Sequence, residues 1–240
     1  MNNNIKNFYE SDSVAYDLRW EKKGGQKTSE AQKQIVNYFI KSWKGYNILE
    51  IGCGSGRFSS LLASSSRNVT YMDLTKGMLD VTKNKLKQEE HSFVGVNGSV
   101  INIPFANETK DAIISINVMN HIEDFKNSLV EFKRVLKPNG KLLINVTNLY
   151  SIYFPFALFV NLRKSSIGRK VYSVWSKPNQ VQKELFDIGF DIREVVGHVF
   201  VPLFLDKAII RNIPIFFDKF SNKKFFRKIS PVLFYYCEKR

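Results

Sequence analysis

The chain has 240 residues, of which 44% are hydrophobic, and this length and composition exclude a protein that is disordered throughout. Its formal net charge of +14 is unevenly placed, because residues 151–240 hold 16 Lys or Arg against 7 Asp or Glu, together with 13 of the 20 Phe. Such a basic, aromatic region suggests an anionic partner (nucleic acid, an anionic membrane or an acidic substrate), with a merely solvated face as the alternative.

Neither a secretory signal nor a membrane span is visible in the sequence. The longest wholly apolar run covers nine residues, 152–160, and Pro155 interrupts it, whereas a spanning helix needs about 20 residues. The polar start MNNNIKNFYE lacks the apolar segment of a signal peptide. The two cysteines and three histidines are scattered without ligand spacing. We therefore expect a cytoplasmic protein without disulfides and without a metal site.

Helices and strands alternate along the chain. Residues 22–27, KKGGQK, predict a turn or loop, and apolar residues at helical spacing predict a helix over about 28–44. Further helices are predicted over about 58–65, 76–88, 125–136 and 181–190. Strands are predicted over 46–51, 68–74, 92–100, 111–117, 141–147, 191–197 and 231–239, with a proline and glycine stop at 137–140. This alternation predicts an α/β protein with a doubly wound, mostly parallel, Rossmann-like sheet and helices on both faces, in a single domain spanning 1–240.

The stretch ILEIGCGSGRFS, residues 48–59, places three glycines directly after the first predicted strand. In open α/β sheets ligands bind beyond the carboxyl ends of the strands, and small residues there let a ligand approach the backbone at a helix start. Asp73 ends the second predicted strand, 21 residues after Gly52, where a carboxylate can accept hydrogen bonds from ribose hydroxyls. The two features together predict a site for an adenosine-type cofactor.

The spacing of the glycines distinguishes two such cofactors. The dinucleotide fingerprint is G-x-G-x-x-G, whereas this chain has G-x-G-x-G followed by Arg57. Glu50, just before the turn, would repel a pyrophosphate but attract an ammonium or sulfonium group. Both observations favour S-adenosylmethionine (SAM) over NAD, so that an NAD-linked oxidoreductase is the weaker alternative.

Taken together, the motifs resemble those of class I SAM-dependent methyltransferases of the ubiquinone/menaquinone-biosynthesis-like group, methyltransferase type 11. The resemblance covers about residues 48–197 and rests on ILEIGCGSGRFS, Asp73, DAIISINVMNHIED, EFKRVLKPNGKLLINV and ELFDIGFDIREV. It implies a seven-stranded sheet whose last strand, PVLFYYCEK, is antiparallel and lies between strands five and six.

The resemblance also implies a cofactor site. The glycine turn and Glu50 would hold the methionine part, Asp73 the ribose, and the residues after the second and third strands the adenine. Where the family often has an aspartate after the third-strand glycine, this chain has Ser99, which predicts a weaker hydrogen bond to the adenine. The expected cofactor-binding residues are Glu50, Gly52, Cys53, Gly54, Gly56, Asp73, Leu74, Met78, Gly98, Ser99, Val100 and Asn117.

Methyl transfer to a hydroxyl or acidic carbon needs a general base, and histidine suits that role. His121 follows strand four and His198 follows strand six, both on the ligand side of the sheet, so both are candidate catalytic residues. Packing or helix capping is the alternative for each. In the family a Glu-His pair often stands where this chain has Asn120-His121.

Chain direction places two basic, Phe-rich insertions over the cofactor, because strands five and six end at the ligand edge and strand seven begins there. We name these insertions, residues 150–177 and 200–230, the lid segments. Together with the N-terminal aromatics they provide the candidate substrate residues Tyr16, Trp20, Tyr153 and Trp175. Their charge and apolar content predict a small apolar or lipid-linked acceptor and a peripheral location at an anionic membrane face.

Two alternatives stay open at this point. The interleaved aromatics and lysines would also suit RNA, but strand four lacks the Asn-Pro-Pro-aromatic sequence expected of many base methyltransferases, so nucleic acid is the less favoured substrate. A SAM-binding protein without transferase activity is the other alternative, given Ser99 and the missing acid at Asn120.

Overall fold

The computed structural model describes residues 6, 9–10, 23–43, 45–63, 68–122, 125–151, 153–155, 174–198 and 224–240. Within these ranges eight strands form one sheet. They are β1 (Asn47–Ile51), β2 (Asn68–Asp73), β3 (Gly95–Asn97), β4 (Lys110–Ser115), β5 (Leu136–Asn148), β6 (Trp175–Ser176), β7 (Phe190–His198) and β8 (Val232–Lys239).

The strand order is β3-β2-β1-β4-β5-β8-β7, with the two-residue β6 pairing only with β5. β8 is antiparallel to both of its neighbours, β5 and β7, while β1 to β6 pair in parallel. This confirms the predicted doubly wound sheet and the insertion of the last strand. The order reverses between β1 and β4, and in sheets of this kind ligands bind at that switch point.

Six α-helices are described with the sheet: α1 (Lys23–Ile40), α2 (Ser59–Leu62), α3 (Lys76–Gln88), α4 (Phe125–Val135), α5 (Pro178–Ile188) and α6 (Lys224–Ile229). The third and fifth follow their sequence signals closely. α3 has the predicted bounds, and α5 begins at a proline and ends at Gly189, whose φ of 109° is left-handed.

Both faces of the sheet are buried, which explains the continuous apolar runs in its central strands. Neighbouring residues such as Ile113 and Ile114 point into different cores. One core packs α4 and α5 through Phe132 and Leu185, and the other packs α1 and α2 through Ile40 and Leu62. The loops that form the site are therefore held at one edge of a sheet covered on both sides.

Two local predictions were wrong. Residues 23–27, expected in a loop, begin α1, and Gly25 is buried there, so tertiary packing overrides the low helix propensity of glycine. The expected stop at 137–140 lies inside β5, because Leu136 already pairs with Lys110 and the ladder resumes at Lys141 after an irregularity that includes Asn139 at φ 61°.

Much of the two lid segments, including residues 156–173 and 199–223, lies outside the described residues. Their predicted position over the cofactor therefore stays a prediction, as does the single-domain organisation. The described ends of the segments include β6 and α6, neither of which the sequence analysis predicted. Among the described residues, no helix combines the length and apolar character needed to cross a membrane.

Candidate cofactor pocket and active site

A pocket opens at the carboxyl ends of β1, β2 and β4, at the switch point of the sheet. Its walls come from the glycine turn after β1, the residues after β2, the loop after β3 and the residues after β4. Four separate parts of the sequence therefore meet at one edge, as the strand directions predicted.

The glycine turn is built from three residues in the left-handed region, with φ values of 72° for Gly52, 56° for Gly54 and 76° for Gly56. A Cβ on Gly52 would lie 2.1 Å from Cγ2 of Val118, so glycine is needed for the end of β4 to approach the turn. A Cβ on Gly54 would have only the carbonyl oxygen of Gly52 near it, at 4.0 Å, and Gly54 lines the pocket together with Cys53. Gly56 instead packs against Thr82 of α3.

Asp73 joins the glycine turn to the start of α3. Its Oδ2 accepts a hydrogen bond from the backbone N–H of Gly54 at 3.0 Å, and its Oδ1 accepts from the N–H of Thr75 at 3.0 Å and from the Thr75 hydroxyl at 3.1 Å. Burial raises the pKa of Asp73, while these bonds oppose the shift. The backbone of Leu74 also hydrogen-bonds this carboxylate, which lines the pocket.

Glu50 lies beneath the pocket. It is 3% exposed, accepts a hydrogen bond from the Ser59 hydroxyl at 2.6 Å, and is not among the described residues that line the pocket. Burial raises its pKa to about 8, the Ser59 bond opposes this, and the negative charge of Asp73 adds to it. The expected direct attraction of a cation by an ionised Glu50 has no support in this arrangement.

The residues after β2 and β3 form an apolar wall of the pocket. Leu74, Met78 and Val100 line it together with Gly98. A Cβ on Gly98 would lie 2.9 Å from Sδ of Met72, so the loop after β3 also needs a glycine to pack closely. Ser99 is not among the described lining residues and forms an isolated β-bridge with Asn102. The structure thus offers an apolar slot, but no contact that assigns Ser99 to a ligand.

Beyond β4 a hydrogen-bonded network of polar side chains forms the remaining wall. Asn117 has a left-handed φ of 60°, and Asn145 of β5 holds it by two bonds. The Asn117 N–H donates to Asn145 Oδ1 at 2.7 Å, and Asn145 Nδ2 donates to Asn117 Oδ1 at 2.9 Å. Gln32 Oε1, from α1, accepts from Asn117 Nδ2 at 3.3 Å and from Arg57 at 2.8 Å.

His121 lines the pocket at the end of a short 3₁₀ helix, Met119–His121. Its Nε2 lies 2.9 Å from the hydroxyl of Tyr9, which also lines the pocket, and the two rings meet edge to face at 5.5 Å. Asn120 Nδ2, which can only donate, lies 3.4 Å from the same nitrogen. Nε2 of His121 therefore lies within hydrogen-bonding distance of two polar side chains, the Tyr9 hydroxyl and the Asn120 amide.

His198 occupies a different place. It ends β7, which is separated from β4 by β8 and β5, and it is 1% exposed. It is not among the described residues that line the pocket. The predicted sheet edge is therefore correct, but no described contact links His198 to the site.

A second cavity adjoins the first, and Ile122 lines both. Trp175 of β6 lines this cavity and packs edge to face on Phe154 at 5.4 Å. The backbone N–H of Val174 donates to the carbonyl of Asn120 at 2.7 Å, which fixes β6 beside the end of β4. Tyr153 is half-buried, and Tyr16 and Trp20 lie outside the described residues. Of the two described candidate substrate residues, Trp175 lines the cavity that adjoins the pocket.

Comparison with known proteins identifies the type of enzyme. Residues 49–144 match the family model described as Methyltransferase domain. The ubiquinone biosynthesis O-methyltransferase of Coxiella burnetii is 26% identical over 183 residues, which cover 72% of this chain and 75% of that protein. The chain is a SAM-dependent methyltransferase.

Solved structures support the fold of this methyltransferase. The magnesium protoporphyrin IX methyltransferase of Synechocystis with bound SAH superposes with a TM-score of 0.70 at 13% identity, covering 99% of each chain. A SAM-dependent methyltransferase of Thermotoga maritima superposes with the same score at 14% identity, covering 98% of this chain and 99% of that one. SAM is the cofactor, and the uncrowded backbone at Gly54, the Asp73 carboxylate in the pocket wall and the apolar slot fit a molecule with a ribose and an adenine.

Several lining or supporting residues of the methyltransferase were not predicted as site residues, and Arg57, Thr75 and Gln32 are examples. Arg57 was recognisable in principle, because it directly follows the glycine turn. Thr75 similarly follows Asp73 by two residues and binds its carboxylate. Gln32 carries no sequence signal, since it reaches the site only through the packing of α1 against the turn.

Proposed function

We propose that this methyltransferase transfers the methyl group of SAM to a small apolar or lipid-linked acceptor. The observation that carries the proposal is the second cavity, which adjoins the cofactor pocket at Ile122. Its lining combines the apolar Phe125, Leu149 and Trp175 with polar and charged side chains, namely Lys126, Ser176, Lys177, Gln180 and Glu184. Such a cavity suits an acceptor with an apolar body and a polar group.

The relatives favour the same class of acceptor. Several of them are named ubiquinone biosynthesis O-methyltransferase, at 26% to 27% identity. Their name favours oxygen as the methylated atom and a quinone-like molecule as the acceptor. The basic, Phe-rich composition of residues 151–240 is also compatible with an acceptor that resides in a membrane.

The roles of the cofactor residues follow from their positions. Asp73 would accept a hydrogen bond from the ribose, and Leu74, Met78 and Val100 would pack on the adenine. The backbone of the glycine turn, with Cys53 and Gly54 facing the pocket, would lie along the methionine part. When bound, SAM supplies an electrophilic methyl group attached to a sulfonium.

His121 is the base that the geometry favours. It lines the cofactor pocket, it directly precedes Ile122 at the border of the second cavity, and its Nε2 lies 2.9 Å from the hydroxyl of Tyr9. For a hydroxyl acceptor, the proton released as oxygen attacks the methyl group would pass to this nitrogen, directly or through the Tyr9 hydroxyl. The end of β4, held by Asn117 and Asn145, keeps the histidine at the pocket.

The acceptor class can be tested by transfer of radiolabelled methyl groups. The protein is incubated with methyl-labelled SAM and either a total lipid extract of the producing organism or its total RNA. We expect protein-dependent label in the organic phase, reduced about tenfold or more by Asp73→Ala at limiting SAM and unchanged by Asp187→Ala on the exposed surface of α5. Label in RNA alone would establish the nucleic-acid alternative. Label in neither, with SAM still bound, would contradict the proposal.

A further inference from the structure

Arg57 is a buried cation at the pocket that the roles above do not use. It is 8% exposed and lines the pocket directly after the last glycine of the turn. Gln32 Oε1 accepts a hydrogen bond from one of its terminal nitrogens at 2.8 Å, and its guanidinium lies 4.5 Å from the centre of the Phe58 ring. The side chain is therefore held in one orientation from two sides, which is unusual for a flexible arginine.

Arg57 belongs to the wall opposite Asp73. Gln32 binds both Arg57 and Asn117, which places the guanidinium on the β4 side of the glycine turn. Asp73 ends β2, on the other side of β1. Because adjacent strands lie about 4.8 Å apart, the ends of β2 and β4 are separated by roughly 10 Å. The pocket is thus bipolar, with an acid at one end and a cation at the other.

A bipolar pocket selects the direction in which a bipolar ligand binds. SAM carries ribose hydroxyls toward one end and an α-carboxylate at the other. Guanidinium groups pair with carboxylates through two parallel hydrogen bonds, and such charge-assisted bonds strengthen when they are shielded from water. We propose that Arg57, oriented by Gln32 and Phe58, binds the α-carboxylate of SAM and thereby selects cofactors that carry an amino-acid tail.

The proposal concerns the cofactor alone and does not depend on the identity of the acceptor. It is distinct from a purely structural role, in which Arg57 would only join α1 to the glycine turn. A structural role predicts equal effects on every adenosine ligand. A carboxylate-binding role predicts an effect only on ligands that have the carboxylate.

Calorimetric titration with two ligands separates these roles. The first is S-adenosylhomocysteine, and the second is its decarboxylated form, which keeps the adenosine, the sulfur and the amine. We expect the wild-type protein to bind the first about tenfold to a hundredfold more tightly. Arg57→Met should remove most of this preference, because it should lower the affinity for S-adenosylhomocysteine and leave the affinity for the decarboxylated form unchanged. Arg57→Lys should restore part of it, because the charge remains while the planar fork is lost.

Arg193→Met is the matched control, since Arg193 lies on β7 and pairs with Glu238 at 3.2 Å. It should bind both ligands as the wild type does. Equal weakening of both ligands by Arg57→Met, with unfolding in urea as a check on stability, would overturn the proposal. Equal affinity of the wild-type protein for the two ligands would overturn it without any variant. Binding of neither ligand by the wild type would instead overturn the cofactor assignment, and this proposal with it.

Discussion

The role that the sequence suggests for Glu50 differs from the one that its position in the folded chain supports. Its position before the glycine turn suggests a carboxylate facing a cationic ligand, whereas the folded chain buries it beneath the turn and against Ser59. An isolated buried carboxylate is costly when ionised, so burial favours the protonated form and raises the pKa to about 8. The residue therefore supports the turn through its hydrogen bond with Ser59, and its raised pKa favours the protonated form.

This protonation predicts a pH dependence of stability. The folded protein retains a proton that the unfolded chain releases between the ordinary pKa of 4.5 and about 8, so stability should fall as pH rises through that window. The maximum slope is about 1.4 kcal/mol per pH unit. Glu50→Gln keeps an acceptor for Ser59 and should lack this dependence, so its advantage over the wild type should grow toward pH 8.

Urea unfolding at pH 5, 6.5 and 8 measures the effect. Glu30→Gln, an exposed substitution on α1, provides the control and should follow the wild type at every pH. Parallel curves for the wild type and Glu50→Gln would mean that Glu50 is ionised in the folded protein.

The turn between β1 and α2 is closely packed, because Val118, in the segment after β4, lies directly against it. Gly52 has a left-handed φ, and its position also excludes a Cβ, which would overlap Val118 at 2.1 Å. Gly45, before β1, has a similar φ of 74°, but a Cβ there would meet nothing within 4 Å. Comparison of the two positions therefore separates two reasons for glycine. Both need a left-handed backbone, but only Gly52 also needs the absence of a Cβ for close packing.

Substitution by alanine should show this difference. Gly45→Ala should cost about 1–2 kcal/mol of stability, from the left-handed conformation alone, and leave S-adenosylhomocysteine binding unchanged. Gly52→Ala should cost about 1–3 kcal/mol more, because Val118 must move, and should weaken binding of S-adenosylhomocysteine. Urea unfolding and calorimetry measure both quantities.

A second substitution tests the cause assigned to Gly52. Val118→Ala in the Gly52→Ala background should recover part of the loss, since it removes the overlapping Cγ2. If Gly45→Ala and Gly52→Ala lost equal stability and bound equally well, contact with Val118 would not be the reason for glycine in the turn.

At the scale of the whole molecule, the uneven charge predicts where the protein acts. The surplus of Lys and Arg in residues 151–240 favours attraction to an anionic surface within about a Debye length. We expect the protein to co-sediment with vesicles containing phosphatidylglycerol at low salt and to be released at about 0.5 M salt. It should not co-sediment with vesicles of phosphatidylcholine alone.

Paired variants of equal charge test the surface responsible. Lys219→Gln with Lys223→Gln, in the second lid segment, should weaken co-sedimentation, whereas Lys83→Gln with Lys87→Gln, on α3, should leave it unchanged. An equal loss from both pairs would indicate attraction by net charge alone. Absence of binding to anionic vesicles at low salt would contradict the membrane proposal.

The sequence by itself determined the doubly wound sheet, the glycine turn and Asp73, because these follow from local periodicity and turn chemistry, while the antiparallel last strand was expected from the family resemblance alone. It also placed Gly98, Asn117 and His121 correctly at the ligand edge. Tertiary structure alone decided the burial of Glu50 against Ser59, the position of His198 away from the pocket, and the extension of α1 through Gly25. The same holds for the grouping of Gln32, Arg57 and Asn117, since contacts between residues up to 85 positions apart depend on which helix packs on which face of the sheet.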